Sequence, residues 1–294
     1  MKILISGGTG FIGSALCELL TKEHDVVVRS RKDKLTNPRF TLIKTLDQID
    51  DNEQFDVAIN LAGEPIADKR WSESQKQKLL ESRLSITEEF ISFFKRTHHK
   101  PTLFISSSAI GFYGVKPSDQ AIDESFNGDD SFSANLCRRW EDIALQANAL
   151  DIRTCLLRTG IVLGNGGALK KMLPPFRFGL GGKMGTGSQW MSWIHIDDMI
   201  GLIHFCITNE KLVGPINCTS PQPVKNLEFT EVLGKVLRRP AIFTVPSLVI
   251  KLLLGKMGEE LLLSGKKIIP AKAQNAGYQF KYRDLEGALV DLLN

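Results

Sequence analysis

The chain has 294 residues, enough for one large α/β domain with an appended lobe or for two domains. Its 43% hydrophobic and 24% charged residues are ordinary for a globular protein, and 37 basic against 33 acidic side chains leave a formal charge of +4. So small an excess does not favour nucleic acid as a partner, although it allows a local anion site.

Five cysteines are scattered along the chain without a C-x-x-C pair: Cys17, Cys137, Cys155, Cys206 and Cys218. An odd, dispersed set of this kind is typical of free buried thiols in a reducing compartment. The first predicted strand begins at Lys2, so we expect no signal peptide. The longest apolar run, near Leu248–Leu254, is too short to span a bilayer. These features predict a cytoplasmic protein with no membrane partner.

The first residues predict a strand, a glycine-rich turn and a helix. The apolar run Lys2–Ser6 leads into Gly7–Gly13, where G-x-G-x-x-G and G-x-x-G-x-x-G spacings overlap, and Ser14–Leu20 has an apolar stripe. This order places the pyrophosphate of a dinucleotide at a helix N-terminus. An ordinary glycine-rich turn is the alternative, but the flanking strand and helix favour the dinucleotide site. The expected cofactor contacts are Gly7, Thr9, Gly10, Phe11, Ile12 and Gly13.

The end of the second predicted strand, His24–Arg31, indicates which dinucleotide binds. Enzymes that use NAD commonly have an acidic residue there, whereas an arginine suits the 2′-phosphate of NADP. This chain has Ser30 and Arg31 followed by Lys32, and a hydroxyl beside a guanidinium suits a dianionic phosphate. A solvated loop charge is the alternative for Arg31. The pattern favours NADP(H).

The next predicted strand ends in four residues that suit a cofactor surface: Asn60, Leu61, Ala62 and Gly63. Small residues at the carboxyl end of a strand let a flat cofactor lie against the sheet, although an ordinary loop also explains Gly63. Another strand, predicted over 101–108, closes with three serines. We expect Ser108 to lie near the cofactor, while capping of a turn also explains Ser106 and Ser107. A helix over 132–147 and a strand over 154–158 complete the βαβ alternation.

From Gly164 onward the composition changes. Eight glycines crowd 164–187 and two prolines interrupt them, which taken alone is typical of a linker. The aromatic side chains that follow, Trp190 and Trp193 among them, favour an ordered loop over a pocket. A helix capped by Asp197 or Asp198 comes next. The last predicted elements are a strand over 215–218, a helix over 227–237, a strand over 242–245 and a helix that ends over 288–293.

Together these residues resemble an extended short-chain dehydrogenase/reductase of the branch labelled "epimerase family", which carries an additional C-terminal segment. The matching stretches are Gly7–Gly13, 60–64, 70–71, 82–83, 159–164, 179–182, 192–195 and 277–280. The resemblance implies an α/β fold, a Rossmann-type doubly wound parallel sheet with a smaller C-terminal α+β lobe. The implied division is a Rossmann domain over 1–163, to which 195–219 returns, and a lobe formed by 164–194 and 220–294. The implied NADP contacts are Ser30, Arg31, Leu61, Ala62, Arg83 and Leu163.

The chain departs from the family pattern at the catalytic helix. Members use Tyr-x-x-x-Lys, in which the lysine lowers the pKa of a phenol that otherwise titrates near ~10. Here Phe132 or Ser133 occupies the tyrosine's place, and Leu136 or Cys137 the lysine's. The usual proton-transfer pair is therefore absent.

Four residues are candidates to replace that pair, and each has a structural alternative. Tyr113 is expected to pack in its turn, and Cys137 to be an inert buried thiol. Glu64 is a candidate acid or an ordinary solvated loop residue. His195 titrates near neutrality and is retained as a catalytic candidate beside Ser108, with a histidine satisfied by Asp197 or a backbone carbonyl as the alternative.

Metal chemistry and nucleophilic hydrolysis find no support in the sequence. The five histidines show no H-E-x-x-H or other ligand spacing. The stretch Gly185–Gln189 resembles G-x-S-x-G but fails at its last position.

Two hypotheses remain. In the first, towards which we lean, the protein is an NADP(H)-dependent oxidoreductase or epimerase-like enzyme on a small carbonyl or sugar-nucleotide-like substrate. That substrate is held by Trp190, Trp193 and His195, and Ser108 orients its carbonyl oxygen. In the second, the catalytic helix has decayed and the protein is an NADP(H)-binding regulator of a protein partner. The absent tyrosine and lysine favour the second hypothesis, and the retained serines favour the first.

Overall fold

The computed structural model describes residues 1–31 and 40–293, and within these ranges the chain alternates strands and helices. The strands are β1 (Lys2–Ser6), β2 (Asp25–Arg29), β3 (Thr41–Ile43), β4 (Val57–Asn60), β5 (Leu103–Ala109), β6 (Ser118–Ile122), β7 (Arg153–Thr159), β8 (Ile161–Leu163), β9 (Gly182–Met184), β10 (Trp190–Met191), β11 (Trp193–His195), β12 (Gly214–Cys218), β13 (Val224–Lys225), β14 (Phe243–Val245) and β15 (Lys266–Ile268). The helices are α1 (Phe11–Leu20), α2 (Glu73–Arg96), α3 (Phe132–Ala144), α4 (Gly167–Arg177), α5 (Ile196–Thr208), α6 (Asn226–Leu237), α7 (Ser247–Leu261), α8 (Ala271–Asn275) and α9 (Leu285–Leu293).

Seven of the strands form one parallel sheet in the order β12-β7-β5-β4-β1-β2-β3. Its central strands are continuous apolar runs buried on both faces, as parallel sheets require. From β1 the chain passes to β2 on one side, and β4 lies on the other. A crevice therefore opens between the carboxyl ends of β1 and β4, the usual position of a nucleotide in such sheets. The sheet confirms the predicted Rossmann-type α/β fold.

Helices cover both faces of this sheet. On one face Leu16 of α1 and Leu202 of α5 pack into a single apolar cluster with the strands. On the other face α2 contributes phenylalanines, and the ring centroid of Phe90 lies 5.4 Å from that of Phe104 in β5. This two-sided burial holds the carboxyl edge of the sheet in place.

Two further clusters join the C-terminal part of the chain to the rest. One gathers α4, α6 and α9 around the fully buried Trp193. The other joins α2 and α3 to α7 and β15, with Trp71, Trp140, Met257 and Ile268 among its members. The C-terminal segment thus packs directly against α3, the helix that carries the catalytic pair in the wider family.

The glycine-rich interval is ordered, as predicted, but it is not a loop throughout. It contains α4, whose buried Leu169, Leu173 and Phe176 follow the spacing of one helix face. The two prolines lie inside this helix, where each removes one backbone hydrogen bond that the packing of these apolar side chains must offset. The predicted cap of α5 was also wrong. His195 is the cap, and Asp197 and Asp198 lie in the first turn, where their charge suits the helix dipole.

Residues 1–31 and 40–293 bear on the expectations about membrane spans, metal sites and disulfides. No helix there is long and apolar enough to cross a bilayer. No group of three or more histidine, cysteine or acidic side chains in those ranges is placed to hold a metal ion. All five cysteines are buried and free of disulfides.

Candidate functional site

The turn between β1 and α1 approaches the end of β4 so closely that it requires glycine. Gly7 has a φ of +74°, and a Cβ on it would lie 2.5 Å from the carbonyl carbon of Leu61. A Cβ on Gly13 would lie 2.2 Å from the carbonyl oxygen of Gly7. Any side chain at these two positions would push the turn and the helix apart.

The N-terminus of α1 is left open for an anion. Gly10 is the cap and offers no side-chain hydrogen bond, and the first turn of the helix has no acidic residue. The helix is ten residues long, so its first amides carry the positive end of a substantial dipole. The ring of Phe11 packs against Gly164, because a Cβ on that glycine would lie 2.7 Å from the ring. Thr9 and Ile12 are half-buried beside it.

Ser30 and Arg31 follow β2, the strand beside β1, on the same edge of the sheet. Ser30 is buried and its backbone amide donates to the carbonyl of Ile43, while the Arg31 side chain is exposed. A buried hydroxyl next to an exposed guanidinium is what the sequence predicts for a phosphate-binding corner. Lys32 lies outside the described residues.

A buried polar network fixes the end of β4. Ser6 donates to the Asn60 Oδ1 at 2.6 Å, and the same oxygen accepts from the amide of Ala62 at 3.2 Å. The Asn60 Nδ2 donates to Thr87 at 2.9 Å, which also accepts from the Trp140 indole. Satisfied networks of this kind rigidify what they hold, here the turn from Leu61 onward.

Arg83 places a buried positive charge next to that turn. Its guanidinium donates to the carbonyls of Glu64 at 2.9 Å and Leu79 at 3.0 Å, and a Cβ on Gly63 would lie 3.3 Å from its Cζ. Among the described residues no carboxylate forms a salt bridge with it, and burial lowers the pKa of Arg83. A buried guanidinium that has no salt bridge among the described residues is suited to an anionic ligand.

Ser108 is positioned by a buried ion pair. Its Oγ donates to Oε1 of Glu141 at 2.5 Å, and Arg158 binds both oxygens of that carboxylate, at 2.9 and 2.8 Å. Both charged side chains are 5% exposed. The Arg158 guanidinium also lies 3.4 Å from the centroid of the Phe112 ring. The pair leaves the Ser108 hydroxyl as an acceptor, since its proton is committed to Glu141.

Two of the four candidate positions on α3 face the exit of the serine strand. A Cβ on Gly111, just beyond β5, would lie 3.1 Å from the Cβ of Ser133 and 3.7 Å from the Sγ of Cys137. Phe132 points elsewhere, with its ring edge-on to Trp71 at 5.0 Å. Ser133 and Cys137, four residues apart, therefore face the exit of the serine strand.

Neither a thiolate nor a phenolate is available there. Burial raises the pKa of Cys137 to about 12, and the Glu141 charge adds to the effect. Burial also raises the pKa of Tyr113 to about 12, against the influence of Arg158. Tyr113 packs within its turn, as expected, and donates to Asn217 at 2.6 Å.

The sequence reasoning missed a carboxylate that the C-terminal segment delivers to this position. Oε2 of Glu260, on α7, accepts from the Ser133 hydroxyl at 2.7 Å and from its backbone amide at 3.1 Å. Its Oε1 is buried and has no hydrogen-bond partner among the described residues. No local pattern could have indicated this contact, because 127 positions separate the two residues. Arg158, by contrast, was detectable as a lone charge in an apolar strand, which needs a partner.

His195 lies in different surroundings from Ser108. Its Nδ1 accepts from the amide of Asp197 at 3.1 Å, its Nε2 is 3.3 Å from an oxygen of Asp291, and its ring stacks on Tyr282 at 3.8 Å. Burial lowers the pKa of His195, although nearby carboxylates oppose the effect. The Nδ1 contact matches the alternative of a histidine held by Asp197, whereas the buried Nε2 lies near Asp291 without a hydrogen bond among the described residues. A catalytic role for His195 stays a prediction.

Three other predicted residues are placed as follows. Leu163 is buried in β8 and pairs in register with His195 of β11. Trp193 is fully buried and its indole donates to the Gln222 carbonyl, so it is part of the core and does not line a substrate pocket. Trp190 is half-buried, and its indole donates to Asp119.

The family follows from a comparison with family models. The model described as the NAD dependent epimerase/dehydratase family matches residues 3–218. The chain belongs to this family. A second model, described as a domain of unknown function, matches residues 245–292. The epimerase-family resemblance and its additional C-terminal segment are thereby confirmed.

Relatives within the epimerase family match along most of their length. The chain is 36% identical over 299 residues to the epimerase family protein YfhF of Bacillus subtilis, covering 100% of this chain and 98% of that protein. It is 36% identical over 301 residues to the chloroplastic SDR39U1 homolog of Arabidopsis thaliana, covering 98% and 86%.

Solved structures show the same fold. Human epimerase family protein SDR39U1, crystallised with NADPH, superposes with a TM-score of 0.89 at 33% identity and covers 99% of both chains. UDP-glucuronic acid 4-epimerase from Bacillus cereus, in complex with UDP-glucuronic acid and NAD, has a TM-score of 0.78 at 21% identity, covering 98% and 96%. The second likeness concerns the fold alone.

Proposed function

We propose that the protein is an NADP(H)-dependent oxidoreductase or epimerase-like enzyme that acts on a small carbonyl or sugar-nucleotide-like substrate. The observation that carries this proposal is the uncapped N-terminus of α1 behind two glycines, Gly7 and Gly13, that admit no Cβ. That cradle fits a pyrophosphate and has no other evident use in the fold. The NADPH found with human SDR39U1 supports the choice of cofactor.

The residues present fit each part of such a cofactor. Amides of Gly10–Gly13 face the pyrophosphate, Ser30 and Arg31 take the 2′-phosphate, and the turn Leu61–Gly63 provides a flat surface. Arg83 supplies a buried positive charge beside that surface. The nicotinamide, when bound, supplies hydride transfer to or from a substrate carbon.

The chain's own residues account for the substrate oxygen and its proton. Because Ser108 donates its proton to Glu141, it accepts a hydrogen bond from a substrate hydroxyl and so orients the alcohol form of the substrate. The predicted orientation of a carbonyl oxygen by Ser108 would require its hydroxyl to turn away from Glu141. We assign proton transfer to Glu260, because its Oε1 has no hydrogen-bond partner among the described residues and its Oε2 binds Ser133, one of the two candidate positions for the family's tyrosine. A carboxyl group is a common general acid or base. Glu260 also accepts from an amide in the first turn of α3, so its removal could act through structure alone.

A matched pair of substitutions separates those two roles. The wild type and NADPH are mixed with libraries of carbonyl compounds and sugar nucleotides, and the absorbance of NADPH is followed. On any substrate found, we expect Glu260→Gln to lower kcat by roughly 10²–10⁴-fold, the usual contribution of a general acid or base. Its NADPH affinity and melting temperature should stay near those of the wild type. Glu259→Gln should keep full activity. Glu259 precedes Glu260 in the sequence, but it pairs with Lys251 and Lys256 on the surface.

Each outcome has a distinct meaning. If the wild type turns over no member of either library, the enzymatic proposal is wrong. If the wild type is active and Glu260→Gln keeps its kcat, the proton assignment alone is wrong. Loss of activity together with a large fall in melting temperature would place Glu260 among the structural residues.

The regulator is the second candidate, favoured by the absence of a tyrosine or lysine beside Ser108. It predicts a wild type that binds NADPH, shows no turnover and captures a protein partner only with one redox form of the cofactor. Pull-downs with NADPH and with NADP⁺ would distinguish it from the enzyme.

A further inference from the structure

Segments 167–187 and 238–258 together expose an unusually apolar surface, which we call the apolar face. Large side chains on it are open to solvent although the chain has ample core to bury them, and single exposed residues would need no explanation. Those most exposed are Phe178 and Ile242 at 82%, Leu253 at 68%, Leu252 at 67%, Leu248 at 66% and Leu180 at 61%. Every residue from 242 to 249 is exposed, a run that includes β14 and the start of α7.

Backbone pairing and close contacts place these side chains on one surface. β14 pairs in parallel with β9, and the amide of Phe243 donates to the carbonyl of Gly181. A Cβ on Gly179 would lie 3.4 Å from Pro240, so the loop with Phe178 and Leu180 lies beside the strand. A shallow groove of about 230 Å³ continues the face along α7 and has only apolar side chains in its lining, Met184 and Leu253 among them.

The geometry of α7 separates an exposed half from an anchored half. Gly255, with φ +59° and ψ −138°, breaks the helix. Beyond the break Met257 and Glu260 are buried against the body of the protein. Before it, Leu248, Val249, Leu252 and Leu253 lie on one exposed face, since residues at these spacings are neighbours on a helix. The first half therefore buries Ile250 and packs Leu254 against the body of the protein, while its other face is left open to solvent.

Positive charge surrounds the apolar face. The two segments that build it, 167–187 and 238–258, contain eight lysines and arginines and no acidic residue. They are Lys170, Lys171, Arg177, Lys183, Arg238, Arg239, Lys251 and Lys256. Lys171 pairs with Asp68, and Lys251 and Lys256 both pair with Glu259, so part of this charge is neutralised. Across 1–31 and 40–293, no carboxylate forms a salt bridge with Arg177, Lys183, Arg238 or Arg239, which supply the unpaired charge. The overall charge of +4 conceals this concentration, because the remaining segments balance it.

We propose that the apolar face docks on the surface of a lipid bilayer that carries anionic headgroups. Apolar side chains on a short helix and adjoining loops insert at the headgroup boundary, while a basic rim binds anionic lipid. A second copy of the chain fits less well, because pairing the face with itself would bring two basic rims together. The inference does not depend on the proposed enzymatic activity, and it replaces the expectation of no membrane partner.

Co-sedimentation of the full chain with vesicles tests the proposal. Vesicles of phosphatidylcholine alone are compared with vesicles that also contain phosphatidylglycerol. We expect binding to the anionic vesicles at low salt, weakened as salt rises. Leu252→Ser combined with Leu253→Ser should weaken it by on the order of tenfold or more, because two apolar side chains no longer insert. Arg177→Gln combined with Arg239→Gln should weaken it by a comparable factor.

The control is Val213→Ser, which changes an exposed apolar residue far along the chain from the face and should bind like the wild type. Absence of binding to phosphatidylglycerol vesicles overturns the proposal, and so does undiminished binding by the Leu252/Leu253 variant. Analytical ultracentrifugation tests the alternative that a second copy of the chain binds the apolar face. A dimer that the same leucine substitutions dissociate would assign the apolar face to self-association and overturn the lipid assignment.

Discussion

The glycine turn of β1–α1 and the N-terminal half of α3 both lie at the carboxyl edge of one sheet, yet they are built differently. The turn is local, since Gly7, Gly10 and Gly13 determine its shape and its open helix end. The α3 region is assembled from distant parts of the chain. Ser133 meets Glu260 of α7, while Ser108 of β5 meets Glu141 of α3, itself paired with Arg158 of β7. The glycine turn has a motif that the sequence alone identifies. The α3 region has no such motif, because its residues come from distant parts of the chain.

The largest effect is expected from breaking the assembled region at its ion pair. Arg158→Met leaves the Glu141 carboxylate buried without its charged partner and with only Ser108 donating to it, which costs about 3–5 kcal/mol of the free energy of unfolding. Arg138→Met removes a pair with the 99% exposed Asp130 and should cost no more than about 1 kcal/mol. Urea denaturation of both variants measures the difference. If Arg158→Met lowered the free energy of unfolding no more than Arg138→Met does, the ion pair would not be holding this region together.

A smaller effect on stability, but a selective one on ligand binding, is expected from the local region. Gly13→Ala places a methyl group 2.2 Å from the Gly7 carbonyl oxygen, and relieving that clash costs about 1–3 kcal/mol and opens the turn. NADPH binding, followed by its fluorescence, should be lost. Gly287→Ala is the control, because it is exposed on α9 and meets only the flexible Asp284 side chain at 3.3 Å. NADPH affinity retained in Gly13→Ala would mean that the cofactor does not lie at this turn.

The smallest effect on stability is expected from Asp129, in the loop that precedes α3. Burial disfavours ionisation of Asp129, but hydrogen bonds from Ser131, Val115 and Lys116 outweigh it and lower the pKa of Asp129 to about 2. A folded pKa below the unfolded value stabilises the protein above about pH 4, and that contribution disappears as pH falls towards 2. With solvent screening it amounts to about 1 kcal/mol.

Asp129→Asn should therefore lower the melting temperature at pH 7 and narrow its gap to the wild type as pH falls through this window. Asp130→Asn, one residue on and exposed, is the comparison. A difference in melting temperature between Asp129→Asn and the wild type that stayed constant across this pH window would contradict this account of the loop.

The sequence predicted the local features and failed on the distant ones, for a physical reason. The strand before Gly7 and the helix after Gly13 are set by hydrophobic periodicity and glycine spacing over a few residues. The helical character of 167–177 was missed because glycines and prolines outweighed the buried spacing of Leu169, Leu173 and Phe176. The cap of α5 was assigned to the wrong residue because aspartate is the commoner cap, yet His195 accepts the hydrogen bond here.

The candidate site shows the same division. Ser108 was found because it ends a strand, whereas its partner Glu141 and the carboxylate of Glu260 come from tertiary packing. His195 was favoured for its chemistry, but its neighbours Tyr282 and Asp291 could not be known before the C-terminal helix was placed. Chemistry-bearing residues can be listed from a sequence, but which of them meet depends on the fold.

The most direct test of the central claim is a titration of the wild type and Arg31→Ala with NADPH and with NADH, with Lys22→Ala as an exposed control. If a 2′-phosphate lies beside Arg31, Arg31→Ala should weaken NADPH binding by on the order of 1.5–3 kcal/mol, roughly ten- to more than a hundredfold, and leave NADH nearly unchanged. Equal losses for the two nucleotides, or no binding of either by the wild type, would contradict the account.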